Sequence, residues 1–153
     1  SSDLFQEVGD SIEYASVLNN LAGIYYVQGN YQRALENLLI VIGIQQRYDQ
    51  TLQLSRALNN MALIYKKTNQ YDKAIQMHKQ AILMKEKLHD STGIATGYLN
   101  IGSAYFENEN YKESSNYLKK GLPIAVQLND DMLVCQFYIN LGMSLIKEDS
   151  LKN

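Results

Sequence analysis

The stretch "LNNLAGIYYVQGNYQRA", residues 18–34, decides the fold because the chain repeats it at a fixed distance. Residues 58–74 read "LNNMALIYKKTNQYDKA", and residues 98–114 read "YLNIGSAYFENENYKES". An asparagine recurs in the same register at positions 20, 60, 100 and 140. A period of 40 residues without slippage indicates a repeat architecture, which outranks any other signal in the sequence.

Each repeat reads as two helices joined by a polar turn. The first helix of unit one places Leu18, Leu21, Ala22 and Tyr25 at helical spacing. The turns "QGN", "TNQ" and "NEN" follow, and a tyrosine begins each second helix. The next unit starts near "YDQ", "HDS" or "NDD", where an aspartate or serine can cap a helix.

A helix pair of this size cannot bury its apolar face alone, so neighbouring pairs must stack. The sequence therefore predicts an all-α solenoid of antiparallel helix pairs, with about seven long helices. We expect repeats at 11–48, 51–88 and 91–128, and the first helix of a fourth at 131–148. Residues 1–9 align with the ends of the second helices and are predicted to be the tail of a preceding one. The interpretation is one solenoid over 1–153, a piece of a longer array; the alternative is a small natural protein with frayed ends.

The pattern resembles the tetratricopeptide repeat. That family carries a large residue, Leu-Gly and Tyr in its first helix, then Ala and a bulky residue in its second. Unit one matches this pattern at Leu18, Leu21, Ala22, Tyr25, Ala34 and Leu38. The unit is longer than the common one of about 34 residues, and the closing proline is missing. It is similar to the 40-residue type of kinesin light chain, spindle-orientation adaptors, bacterial peptide-pheromone receptors and sensor regions of bacterial regulators.

Composition and motifs argue against several classes of function. The net charge of −2 predicts no strong attraction to nucleic acid or to an anionic membrane. No apolar run reaches the ~18 residues that a membrane span needs. No Ser-His-Asp order, phosphate loop or paired carboxylates stand out. We therefore predict no enzyme activity, no catalytic residue, no cofactor and no metal site.

The asparagine positions face away from the predicted core. Asn20 is two residues from both Leu18 and Ala22, so a helical rotation of about 100° per residue turns it to the opposite side. The resemblance implies that first helices line a concave groove, and that asparagines at these positions hold the backbone of a bound peptide. An amide can do so because it offers both a donor and an acceptor. The alternative is that each asparagine forms its hydrogen bonds within the solenoid.

The residues predicted to bind a peptide share this groove-facing side of the first helices. They are Asn20, Asn60, Asn100, Asn140, Arg56, Leu63, Lys67, Ser103 and Phe106. The N-terminal half also shows polar and basic residues, namely Asn19, Tyr26, Asn59 and Lys66. The C-terminal half adds the apolar residues Leu99, Ile139, Met143 and Ile146. A ligand with an acidic part toward the first half and an apolar part toward the second would fit. For Ile139, Met143 and Ile146 the alternative is packing against a further helix, or self-association.

Three further residues are interpreted as structural. His78 occupies the bulky slot of the second helix and is predicted to be packed. Cys135 aligns with Ala15, Ser55 and Ala95, so we expect a buried and inert thiol. Pro123 falls inside a second helix, where its missing N–H predicts a kink or an early stop.

Two functional hypotheses follow. The first is a non-enzymatic module that binds a peptide or protein segment in its groove, as part of a larger signalling or adaptor protein. The second is a structural or dimerising spacer in a sensor or transcriptional regulator, with no groove ligand.

Overall fold

The computed structural model describes residues 2–151, with side chains from residue 6 onward. Seven α-helices make up this part of the chain: α1 (Ser2–Val27), α2 (Tyr31–Arg47), α3 (Thr51–Lys67), α4 (Tyr71–Lys87), α5 (Ser91–Glu107), α6 (Tyr111–Gln127) and α7 (Asp131–Ser150). The main contacts join consecutive helices, and α5 also touches α7. The predicted all-α solenoid of about seven helices is confirmed. None of the helices in residues 2–151 has the length and apolarity to cross a membrane.

A residue with positive φ ends each of the first six helices, and these residues recur every 20 positions. They are Gly29 (75°), Asp49 (52°), Asn69 (58°), His89 (53°), Glu109 (57°) and Asn129 (53°). A left-handed residue just after a helix lets the last carbonyls bond to the N–H groups of the turn. The short turns then reverse the chain, so each helix lies antiparallel to the one before it.

Side-chain caps begin four of the helices. Asn30, Asp90, Asn110 and Asp130 each accept a hydrogen bond from the N–H group three residues on. The expected aspartate caps are thus present before α5 and α7. Before α3, Asp49 takes the left-handed position and Gln50 becomes the cap residue, without a side-chain bond.

Large and small residues alternate through the core, which lies between the first helices and the second helices of the repeats. Leu38, Leu118 and Phe137 are fully buried. Glycines allow the close approach that these side chains need: a Cβ on Gly102 would lie 2.6 Å from Leu118 Cγ, and one on Gly121 would lie 2.4 Å from Phe137 Cζ. A Cβ on Gly97 would likewise lie 2.5 Å from Ile82 Cγ1, so the core depends on missing side chains at helical positions as much as on the large residues.

The N-terminal segment differs from the sequence prediction of a helix end near residue 9. The helix α1 runs without a break from Ser2 to Val27, and Gly9 does not adopt positive φ. Residues 6–10 are mostly exposed, so no packing interaction favours a turn over continuation of the helix. The assignment of residues 1–9 to a preceding repeat remains a prediction, and Ser1 lies outside the described residues.

The structure contradicts two other expectations, the early stop at Pro123 and the burial of Cys135. Pro123 does not stop its helix, since α6 continues to Gln127. Pro123 and Lys119 are both exposed, so water can reach the carbonyl that loses its bond. Cys135 is exposed rather than buried. Its counterparts Ala15 and Ala95 pack in clusters with the second helix of their own unit, and no helix follows α7 within residues 2–151.

Candidate functional site

The helices that carry the predicted groove residues contact one another in order: Asn60 of α3 bonds Asn19 of α1, Lys66 of α3 bonds Ser103 of α5, and α5 touches α7. We call this side of α1, α3, α5 and α7 the groove face. It is the side of these four helices that carries Asn20, Asn60, Asn100 and Asn140, one asparagine from each helix. Asn20 and Asn60 are exposed, whereas Asn100 and Asn140 are partly buried. The four asparagines share a register but not a hydrogen-bonding state.

Two of the four asparagines form hydrogen bonds within the solenoid. Asn60 Nδ2 donates to Asn19 Oδ1 at 3.3 Å, which links the first two repeats across the groove face. Asn140 Nδ2 donates to the carbonyl of Gln136, one turn earlier in its own helix, at 2.8 Å. These bonds correspond to the alternative reading, in which the amide serves the solenoid itself.

The other two asparagines have free side-chain amides. Among the described residues, neither Asn20 nor Asn100 has a hydrogen bond from its side chain. An asparagine inside a helix costs roughly 0.5 kcal/mol relative to alanine. At these two positions no bond within the described chain offsets that cost. Their amides therefore remain available to a ligand backbone.

A cavity of about 100 Å³ opens between α1 and α3 beside Asn60. Its lining is mainly apolar and consists of Ala22, Gly23, Tyr26, Leu38, Asn60, Leu63 and Ile64. It shares Gly23 and Asn60 with a wider depression of about 570 Å³. The other lining residues of that depression are Asn19, Asn20, Ile24, Val27 and Gln28. The concave space on the groove face is thus concentrated at its N-terminal half.

A polar network crosses the middle of the groove face. Lys66 Nζ lies 2.8 Å from Glu107 Oε1 and donates to Ser103 Oγ at 3.1 Å. The ammonium group of Lys66 is therefore paired and does not present a free charge. Ser103, predicted to bind a ligand, is held in the same network. By contrast, Arg56 and Lys67 are exposed, and neither forms an ion pair within residues 2–151.

Asn59 is held by a buried histidine behind the groove face. His78 is 1% exposed, and its Nδ1 lies 3.0 Å from Asn59 Oδ1. Burial, and then the nearby charge of Lys66, lowers the pKa of His78 from 6.5 to about 4. The ring is therefore neutral at pH 7, and His78 is the packed residue that the sequence predicts.

The C-terminal half of the groove face is apolar but shallow. Phe106 is partly buried and meets the Tyr111 ring edge-on, with centroids 5.3 Å apart. Ile139 and Ile146 on α7 are 61% and 71% exposed. The enclosed apolar space lies instead in the N-terminal half, beside residues that the sequence marks as polar and basic.

Sequence reasoning missed the cavity beside Gly23. Gly23 stands where Leu63, Ser103 and Met143 stand in the other units. A glycine at a position where the other units carry a side chain was the feature of the sequence that could have indicated the cavity. No group of three or more potential metal ligands occurs among the described residues.

Comparison with known proteins agrees with this fold. Two tetratricopeptide repeat models match the chain, one over residues 13–87 and one over residues 95–125. BtubC (BKLC) from P. vanneervenii superposes with a TM-score of 0.80 at 20% identity, over 90% of this chain and 57% of that protein. The apo form of RapI gives a TM-score of 0.81 at 19% identity, over 91% and 51%. A Rap protein complexed with competence and sporulation factor gives 0.74 at 21% identity, over 92% and 39%.

This chain spans about half the length of these structural neighbours, or less. No curated protein sequence matches it. The two repeat models together cover more than half of the chain, and the helix pairs, turns and 40-residue register agree with them. The chain belongs to the tetratricopeptide repeat family.

Proposed function

We propose that this protein is a non-enzymatic binding module that holds an extended peptide or protein segment on its groove face. The observation that supports this proposal best is the pair of free side-chain amides, Asn20 and Asn100. They lie on the surface that also contains the cavity beside Asn60. A structural neighbour, the Rap protein, is complexed with competence and sporulation factor, which supports a binding role for this architecture. The module would serve a larger signalling or adaptor protein.

The magnitudes indicate what a ligand must supply. Two amides that each bond a ligand backbone contribute about 2 kcal/mol net. Micromolar binding needs about 8 kcal/mol. Apolar burial and charge must therefore provide most of the affinity. We assign the apolar contribution to the cavity beside Leu63 and the electrostatic contribution to the cations Arg56 and Lys67. Ser103 and Phe106 would line the path of the ligand toward α7.

The test is a double variant, Asn20→Ala with Asn100→Ala, against a panel of displayed peptides. Both changes remove amides that bond nothing else in the described chain, so the fold should be retained. The matched control is Asn116→Ala, an exposed asparagine on α6 whose side chain makes a local bond, from Nδ2 to Glu113 Oε1 at 3.3 Å. We expect the double variant to lose about tenfold or more in affinity while the control binds normally. Equal binding by all three proteins would refute this use of the groove face.

A second candidate function is self-association through α7. Met132, Tyr138, Ile139 and Ile146 are between 60% and 75% exposed on that helix, and exposed apolar side chains of this kind can form an interface. In this reading the chain is a dimerising spacer without a groove ligand. Light scattering across a concentration series separates the two candidates. A monomer at high concentration contradicts the spacer, and an Ile139→Glu variant should dissolve any dimer that forms.

A further inference from the structure

The glycine at position 23 has no structural reason to be glycine. It lies inside α1, where glycine weakens a helix relative to alanine. It does not adopt positive φ, and a Cβ built on it would meet nothing within 4 Å. Gly102 and Gly121 differ, because a Cβ on either would collide with a core side chain. Neither conformation nor close packing explains Gly23.

The empty position keeps the cavity between α1 and α3 open. Gly23 lines both the 100 Å³ cavity and the wider depression beside it. The aligned residue of the next unit is Leu63, which forms part of the opposite wall. A side chain of that size at position 23 would project into the same space. The glycine therefore creates a recess that a bound molecule can enter.

The size and lining of the recess define what it takes. Leu38 of α2, which is fully buried, lines the recess together with Ile64 and Tyr26. An apolar cavity of about 150 Å³ can hold a benzene molecule. A recess of about 100 Å³ therefore matches one aliphatic side chain of valine or leucine size.

Charge on α3 defines the surroundings of that side chain. Arg56 lies one turn before Asn60, and Lys67 lies one turn after Leu63 on the same face of the helix. Both cations are exposed and lack an ion pair in the described chain, whereas Glu107 is taken up by Lys66. The free charge beside the recess is thus positive.

We infer that the recess at Gly23 is a specificity pocket for one aliphatic side chain of a ligand segment that carries acidic residues beside it. The inference rests on the proposed peptide binding. Asn60 lines the recess, and its Oδ1 can accept a hydrogen bond from the ligand backbone while its Nδ2 donates to Asn19.

The test selects a displayed library of random heptapeptides against the wild-type protein, Gly23→Leu and Gly43→Leu. Gly43 is the matched control, since it is also an exposed glycine inside a helix with nothing within 4 Å of a built Cβ. We expect wild type and Gly43→Leu to enrich peptides with a valine, leucine or isoleucine next to Asp or Glu. Gly23→Leu should lose the aliphatic preference.

A synthetic copy of the best peptide then gives the magnitude. Replacing its aliphatic residue by alanine should weaken binding to wild type about tenfold or more, and should change binding to Gly23→Leu less than about threefold. Enriched peptides without an aliphatic position, or equal losses on both proteins, would overturn the pocket and leave peptide binding intact. Enrichment of no peptide by wild type would overturn the proposed function and the pocket with it.

Discussion

The buried histidine makes the stability of this protein depend on pH in a way that the structure specifies. His78 is 1% exposed, and its pKa is lowered from 6.5 to about 4 by burial and by the charge of Lys66. In the unfolded chain the imidazole has its ordinary pKa of about 6.5. Between pH 6.5 and pH 4 the unfolded state therefore binds a proton that the folded state does not. Stability is complete above pH 6.5 and falls as the pH drops through this window.

The size of the effect follows from the two pKa values. One pKa unit corresponds to about 1.4 kcal/mol, so lowering the pKa from 6.5 to about 4 makes a difference of about 3 kcal/mol at the acid end of the window. At pH 5 the loss is about 2 kcal/mol. A domain of this kind is stable by about 5–15 kcal/mol in total, so the loss is readily measured.

Urea unfolding at pH 7.5 and pH 5.0, followed by circular dichroism, tests this reasoning. The variant His78→Leu carries the residue found in the same slot at Leu38 and Leu118. The control His89→Asn removes the only other histidine, which lies in a turn with φ of 53° that asparagine tolerates. Wild type and the control should lose about 2 kcal/mol more than His78→Leu on acidification. Equal losses in all three proteins would refute the assignment.

Three further predictions concern packing and exposure. Gln45→Met should raise the free energy of unfolding by about 1 kcal/mol, because Gln45 Oε1 is buried without a hydrogen-bond partner; a lower value in urea unfolding would contradict this. Gly121→Ala should lower it by about 1–3 kcal/mol through collision with Phe137 and Tyr98 Cβ, and Phe137→Leu should relieve only the part due to Phe137. Cys135 is exposed, so native protein should react with a thiol reagent about as fast as unfolded protein does. A dimer through α7 would slow this reaction as protein concentration rises.

The fold could be predicted from the sequence because the repeat specifies both the helices and the turns. The second helices begin at Tyr31, Tyr71 and Tyr111, at the positions that the 40-residue register indicates. The left-handed turn residues were harder to predict, since only Gly29 among them is a glycine. Glu109 adopts positive φ although it is not a residue that prefers it. There, packing of the helices on either side determines the turn.

The expectations for Cys135 and Pro123 fail because the position of a residue in the repeat does not determine what surrounds it. Cys135 shares its position with Ala15 and Ala95, but burial depends on a helix that covers the position and not on the register itself. Pro123 does not end α6, which continues to Gln127, and the residue lies on an exposed side of the helix.

The sequence predicts that the four asparagines share a face, but it does not predict that their hydrogen bonds differ. Register places Asn20, Asn60, Asn100 and Asn140 on one face, whereas their partners depend on residues from other helices or other turns. Asn60 meets Asn19 because α1 and α3 lie side by side. Pairing of Lys66 with Glu107 is likewise a contact between repeats. A pattern within one repeat does not contain that information.

The central claim is that ligands bind on the groove face through its free amides. An NMR titration of the labelled protein with the best selected heptapeptide tests it most directly, because each asparagine side chain gives its own signals. We expect the side-chain amide signals of Asn20 and Asn100, and the methyl signals of Leu63, to shift on binding, while the signals of Asn116 on α6 do not. Shifts confined to α7 or to the second helices, with Asn20 and Asn100 unchanged at saturation, would contradict it.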